Sequence, residues 1–244
     1  EEAQAAEGRG EFTRAIQIYV LWRGKVEDPK MAADVDQRER NAADRAMAQG
    51  EALESERAFL KAAQHYERLQ QVGSNLLSER LPAALARARS AAYDQVMQEA
   101  GELARSGRYR EAVTKYESIE SIASKICKEA ELAGALHAAR CGQFDDEVKR
   151  GRVAEERRDW KGAVSIYSAL QNLASRTQRT TEIEEHLKRA HEGWYDDAKR
   201  RGDEGAKSGD WDRAIRAYEE AHSSARALGR TTELDRSIKE VKVS

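Results

Sequence analysis

The stretch Trp211-Asp212-Arg213-Ala214-Ile215-Arg216-Ala217-Tyr218 places an aromatic, a small, a branched aliphatic and a second aromatic residue at offsets 0, 3, 4 and 7. At 3.6 residues per turn these four share one helical face, and the charged residues between them fall elsewhere. The segment therefore reads as a helix carrying a packing stripe. The stripe recurs: Phe12-x-x-Ala15-Ile16-x-x-Tyr19, Phe59-x-x-Ala62-Ala63-x-x-Tyr66, Tyr109-x-x-Ala112-Val113-x-x-Tyr116 and Trp160-x-x-Ala163-Val164-x-x-Tyr167. The five anchor aromatics, Phe12, Phe59, Tyr109, Trp160 and Trp211, are separated by 47, 50, 51 and 51 residues. Such a fixed period marks an array of like units.

Working outward from the anchors, Ser106-Gly107-Arg108, Arg157-Arg158-Asp159 and Ser208-Gly209-Asp210 supply turn signals, with Gly suited to a helix C-cap and Asp to an N-cap. Upstream, Tyr93, Phe144 and Tyr195 stand sixteen residues before their anchors, each followed by Asp, and Ala100, Gly151 and Gly202 stand nine before. Downstream, Arg179-Thr180-Thr181-Glu182-Ile183 and Arg230-Thr231-Thr232-Glu233-Leu234 read as helix starts, Thr before an acidic first turn. Each repeat is thus a lopsided hairpin. Its long first helix, from about Thr181 to Ser208, measures roughly 42 Å, and its partner from Trp211 to Leu228 roughly 27 Å. Gly142 and Gly193 are the candidate breaks in the long helices; a helical Gly costs only about 1 kcal/mol and no proline accompanies either, so continuous helices are expected.

Composition supports a thin helical body. The chain has 244 residues with 16 Leu, 9 Ile, 11 Val and 3 Phe, about 16% of the total, and a mean hydropathy of -0.84. Alanine fills the packing role that bulky residues usually take. No stretch is apolar enough for a membrane span. The 42 basic and 44 acidic residues nearly cancel, so the chain lacks both the charge imbalance usual in disorder and the basic face that nucleic acid requires. Cys127 and Cys141, fourteen apart, cannot bridge along one helix, which points to a reducing, cytoplasmic compartment and leaves a disulfide-free periplasmic protein open.

At Gly107-Arg108-Tyr109-Arg110-Glu111-Ala112-Val113-Thr114-Lys115-Tyr116 and Gly209-Asp210-Trp211-Asp212-Arg213-Ala214-Ile215-Arg216-Ala217-Tyr218 the chain resembles the second helix of a tetratricopeptide repeat. The likeness extends to Ile119, Leu170 and Ala221, three residues further on, and to Gly151 and Gly202 in the first helix. It spans nearly all of residues 1–244, read as a single array and an excerpt of a longer one. The family repeats every 34 residues, whereas this chain repeats every 51 in its last steps, the added length lying in the first helix. The resemblance implies an all-α solenoid of antiparallel hairpins whose first helices grip a protein or peptide partner. The corresponding first-helix positions are Met97, Gly101 and Ala104, then Val148, Arg152 and Glu155, then Lys199, Asp203 and Ala206. Arg152, Lys199 and Asp203 are the candidate partner contacts; Tyr109, Tyr116, Trp160, Tyr167, Trp211 and Tyr218 are the structural anchors.

Chemistry-bearing constellations are sparse. His137 and Cys141 share a helical face but lack further metal ligands, no glycine-rich phosphate loop occurs, and no Ser or Cys has a His and carboxylate arrangement in sequence. Neither an enzyme, a metal site nor a cofactor is expected. Mixed charge runs such as Glu155-Glu156-Arg157-Arg158 suit ion pairs along helix faces. Trp22 and Trp194 lie outside the anchor set and are candidates for a contact surface, Trp194 equally for covering the hairpin. The expected function is a protein-interaction scaffold within a larger protein; the alternative is a structural spacer or self-assembling element. Both ends read as incomplete repeats, so an apolar edge through Leu234, Ile238 and Val241 is expected to meet a neighbouring molecule.

Overall fold

The computed structural model describes residues 1–243, with side chains through Lys242. It is all-helical, 83% of the chain lying in helices and no strand occurring among the described residues. The elements are α1 (Glu2–Gly8), α2 (Phe12–Arg23), α3 (Pro29–Ser55), α4 (Phe59–Gln70), α5 (Leu81–Arg105), α6 (Tyr109–Glu117), α7 (Glu120–Lys125), α8 (Glu129–Glu156), α9 (Trp160–Ala169), α10 (Gln171–Arg176), α11 (Thr180–Lys207), α12 (Trp211–Glu220), α13 (His222–Ala227) and α14 (Thr231–Val243), with a 3-10 turn at Asn75–Leu77. Two compact units emerge, Glu1–Arg105 with Glu111–Ala135, and Ser106–Arg110 with Leu136–Ser244.

The long helices run unbroken through Gly142 and Gly193, α11 starting and ending within a residue of the expected bounds. The second helix of the last three repeats, by contrast, is divided ten residues after the anchor. Ile119 separates α6 from α7, Leu170 separates α9 from α10, and Ala221 separates α12 from α13. At Ile119 and Leu170 the N–H donates three residues back, to Tyr116 O at 3.2 Å and Tyr167 O at 3.1 Å, tightening the turn toward 3-10 geometry. All three residues are buried, so the bend carries them inward.

Hairpin turns follow from left-handed residues two before each anchor. Gly10, Gly107 and Gly209 take positive φ without a Cβ penalty, and Arg57 and Arg158 take it where no glycine stands. Asp159 and Asp210 then cap α9 and α12, accepting from Gly162 N at 3.0 Å and Arg213 N at 3.1 Å. The Thr pairs do not act as caps. Helix α11 begins at Thr180 behind Arg179, which makes no side-chain cap bond.

In unit 1 the core gathers Ile16, Tyr66, Leu69, Met47, Leu85 and many alanines from α1 to α5. Glu39 is wholly buried there, accepting from Ser74 Oγ at 2.5 Å and Arg23 Nη1 at 3.2 Å, which satisfies an otherwise costly charge. In unit 2 one core joins Phe144, Tyr167, Leu170 and Ile183, and another joins Tyr195, Tyr218, Ala221 and Leu234.

Candidate functional site

The repeated residues turn out to be devoted to packing. In every repeat the Ala three after the anchor is fully buried, and the Tyr seven after it is buried to 5% exposure or less. Three of those tyrosines lie on a glycine of their own long helix: Tyr66 on Gly50, Tyr167 on Gly151 and Tyr218 on Gly202, each glycine so close that a Cβ would collide with the ring. The anchors themselves are less buried than those residues. Tyr109 and Trp160 instead cross to the following long helix and cover Gly142 and Gly193, where a Cβ at Gly193 would stand 2.5 Å from the indole. These glycines admit a ring. The equivalent position for Trp211 is Ser244, outside the described residues, and Trp211 is 39% exposed.

A second repeated device joins successive long helices. Lys128 lies over Tyr93 at 4.5 Å, Arg179 over Phe144 at 4.2 Å and Arg230 over Tyr195 at 4.0 Å, and each cation also meets the Asp that follows its ring. Arg179 and Arg230 further pair with Glu182 at 2.7 Å and Glu233 at 3.1 Å. The aromatic-Asp and Arg-Thr-Thr-Glu motifs are therefore two halves of one clasp.

What remains for function is the surface between these devices. Lys199 and Asp203 are brought together, Nζ to Oδ2 3.0 Å, and Tyr218 donates its hydroxyl to Asp203 Oδ1 at 2.6 Å. They line a cleft of about 490 Å³ with Trp211, Ser237, Glu240 and Val241. Burial works to raise the Asp203 carboxyl, but the Tyr218 hydroxyl and the Lys199 ammonium outweigh it and hold it below the ordinary carboxylate range. Burial and then the Asp203 carboxylate push the Tyr218 phenol up. Arg152 stands apart, exposed on α8 near Tyr167 and His186, with no ion pair or hydrogen bond among the described residues. Two other expected groove positions are absorbed by the fold: Val148 is core, and Glu155 turns a buried oxygen toward the Tyr167 hydroxyl. No family model and no curated protein matches the chain.

The terminal apolar edge is corrected as well. Leu234 and Val241 are buried against α12 and α13 of the same chain, and Ile238 packs partly buried beside them. The most exposed of the large apolar side chains are Leu21 and Trp22 on α2 and Met31 at the start of α3. Trp194 is partly buried against Tyr195 and so covers the hairpin. Register could have found Trp22: it stands ten after Phe12, where Leu69, Ile119, Leu170 and Ala221 are all buried.

Remaining candidates are modest. Cys141 Sγ lies 3.6 Å from His137 Nε2, Cys127 is in the turn before α8, and both thiols are free. Among the described residues no three His, Cys, Asp or Glu side chains converge as metal ligands. No described helix is long and apolar enough to cross a membrane.

Proposed function

We propose that the chain is a non-catalytic protein-interaction scaffold, a tetratricopeptide-like array that holds a protein or peptide partner. The observation that carries this reading is the cleft of the last hairpin, where an exposed indole, Trp211, adjoins the Lys199 and Asp203 pair. A half-exposed tryptophan beside polar groups of fixed geometry is the make-up of a contact centre in protein interfaces. Arg152 extends the surface with an unpaired charge on the preceding long helix. The free thiols of Cys127 and Cys141 suit a reducing compartment, the cytoplasm.

The test is capture from the native source followed by titration of the purified partner against three proteins: wild type, Trp211→Ala, and an Arg152→Glu, Lys199→Ala double variant. Alanine is chosen at Lys199 because a glutamate there would face Asp203. Affinity at least about ten-fold weaker in both variants, with helicity unchanged, supports the reading. Equal affinity for all three removes the cleft from the contact and leaves the spacer role.

A further inference from the structure

The tyrosine seven residues after each anchor points its hydroxyl at the helix before it, and in four of the five repeats a carboxylate stands there. Tyr19 donates to Glu7 at 2.6 Å and Tyr218 to Asp203 at 2.6 Å. Glu54 and Glu155 face the hydroxyls of Tyr66 and Tyr167 without closing a hydrogen bond. Glu7, Glu54 and Glu155 lie five residues before their anchors, and Asp203 lies eight before. In the third repeat those two positions hold Ala104 and Gly101, so the acceptor is missing. Tyr116 is buried all the same, 5% exposed, and makes no hydrogen bond among the described residues. Across from the α5 backbone, a Cβ at Gly101 would meet only the Tyr116 hydroxyl, 3.8 Å away. Gly101 and Ala104 are both partly exposed, so the last two turns of α5 carry a notch with a phenol at its floor. Arg105 borders it. Its Nε donates to Gly101 O at 3.3 Å, it makes no ion pair among the described residues, and it is the charged group that faces Tyr116. The neighbouring carboxylates are engaged, Glu99 by Lys115 and Gln95, and Glu102 by Gln98. All of these third-repeat residues belong to unit 1.

We infer that this notch receives the side chain of a glutamate from a partner protein, its carboxylate accepting from the Tyr116 hydroxyl and pairing with Arg105. Charge complementarity sets the choice. A buried phenol and an unpaired guanidinium supply donors and a positive charge, and no acceptor stands opposite them. The other repeats meet the same hydroxyl with a carboxylate from within the chain, so the position is shaped for that group. Met97, one turn before Gly101 on the same face of α5, offers an apolar neighbour for the methylene stem. The inference rests on the interaction-scaffold reading and adds to it the chemistry of the partner. It fails separately from that reading, because Gly101, Ala104, Arg105 and Tyr116 are distinct from Arg152, Lys199 and Trp211.

A capped serine and glycine heptapeptide with one central glutamate is titrated into the intact, isotope-labelled chain and followed by the backbone amide shifts of Gly101, Ala104 and Arg105. Saturable shifts in the range of about 1 to 10 mM are expected, with binding about ten-fold weaker for the glutamine counterpart of the peptide and for Tyr116→Phe. Tyr116→Phe removes only an unpaired hydroxyl, so helicity and the urea midpoint should hold. Ala104→Glu serves as the second variant: it restores the carboxylate found five before the other anchors, fills the notch from within and should abolish binding with the fold intact. Arg152→Glu and Trp211→Ala should leave the titration unchanged. Absence of saturation by about 50 mM peptide, or binding indifferent to both the glutamine peptide and Tyr116→Phe, overturns the inference. So does sodium acetate that binds as tightly as the peptide, which would give the notch to a free carboxylate rather than to a partner protein.

Discussion

Gly142 and Gly193 occupy mid-helix positions where alanine would ordinarily improve helix propensity by about 1 kcal/mol. Here a methyl group would enter the ring of Tyr109 or Trp160. Gly193→Ala is therefore expected to destabilise the chain by about 1 to 3 kcal/mol through overpacking. Gly134→Ala, in the same α8 as Gly142 but with open space around it, should stabilise by up to about 1 kcal/mol. Urea denaturation of both variants checks the contrast, and a gain at Gly193 would mean that Trp160 is not held against the glycine. His186 supplies a pH dependence. It is buried, stacked on Tyr167 at 4.9 Å, and faced by Arg189, Arg152, Glu155 and Glu182. Burial first, then the two arginines, lower its pKa below the ordinary value of about 6.5. The unfolded chain thus takes up a proton that the folded chain resists, so the stability is intact above about pH 6.5 and is lost as pH falls through the folded value. His186→Gln should flatten that part of a stability profile measured from pH 7 to pH 5; an unchanged slope would place the titration elsewhere.

At the scale of elements the clasp and the bend separate what was legible from what was not. The ends of the long helices and the starts of α9 and α12 could be read from turn signals and spacing because the left-handed turn residues and the Asp159 and Asp210 caps act locally. The division of the second helix could not, since Ile119, Leu170 and Ala221 are ordinary helix formers and the bend comes from drawing them into the core. Likewise the Tyr-Asp and Phe-Asp pairs and the Arg-Thr-Thr-Glu runs were visible as repeats, but only packing shows that each cation closes over the preceding ring. The Lys199 and Asp203 pair follows from their spacing of four, whereas the exposure of Trp22 depends on what lies above it. Arg179→Ala removes the cation from Phe144 along with its pairing to Asp145 and Glu182. A loss of about 1 to 2 kcal/mol is expected, mostly from the stacked ring because Asp145 is well exposed. Arg179→Lys should restore only part of it, since lysine lacks the planar group. Chemical denaturation of the two variants measures both; full recovery in the lysine variant would reduce the clasp to simple charge pairing.

For the molecule as a whole, two compact units and several small cores mean that damage should stay local. Trp160→Ala, which empties the site over Gly193, is expected to cost about 3 kcal/mol, and Trp211→Ala less than about 1 kcal/mol because its ring is already exposed. Hydrogen exchange should then show faster opening in residues 136–242 of the Trp160→Ala protein while residues 1–105 keep their protection. Uniform acceleration would reveal a single cooperative body. The capped turns carry one more consequence. Arg158-Asp159-Trp160 and Gly209-Asp210-Trp211 present the same backbone geometry, with Asp as the cap in both. A gene that lost the codons for residues 160–210 would rejoin Asp159 to Trp211 at a junction that already exists in the parent, and one that duplicated them would do the same. Unequal recombination could thus shorten or lengthen this chain by whole 51-residue modules without inventing a new joint, which makes its length an easy quantity for evolution to adjust.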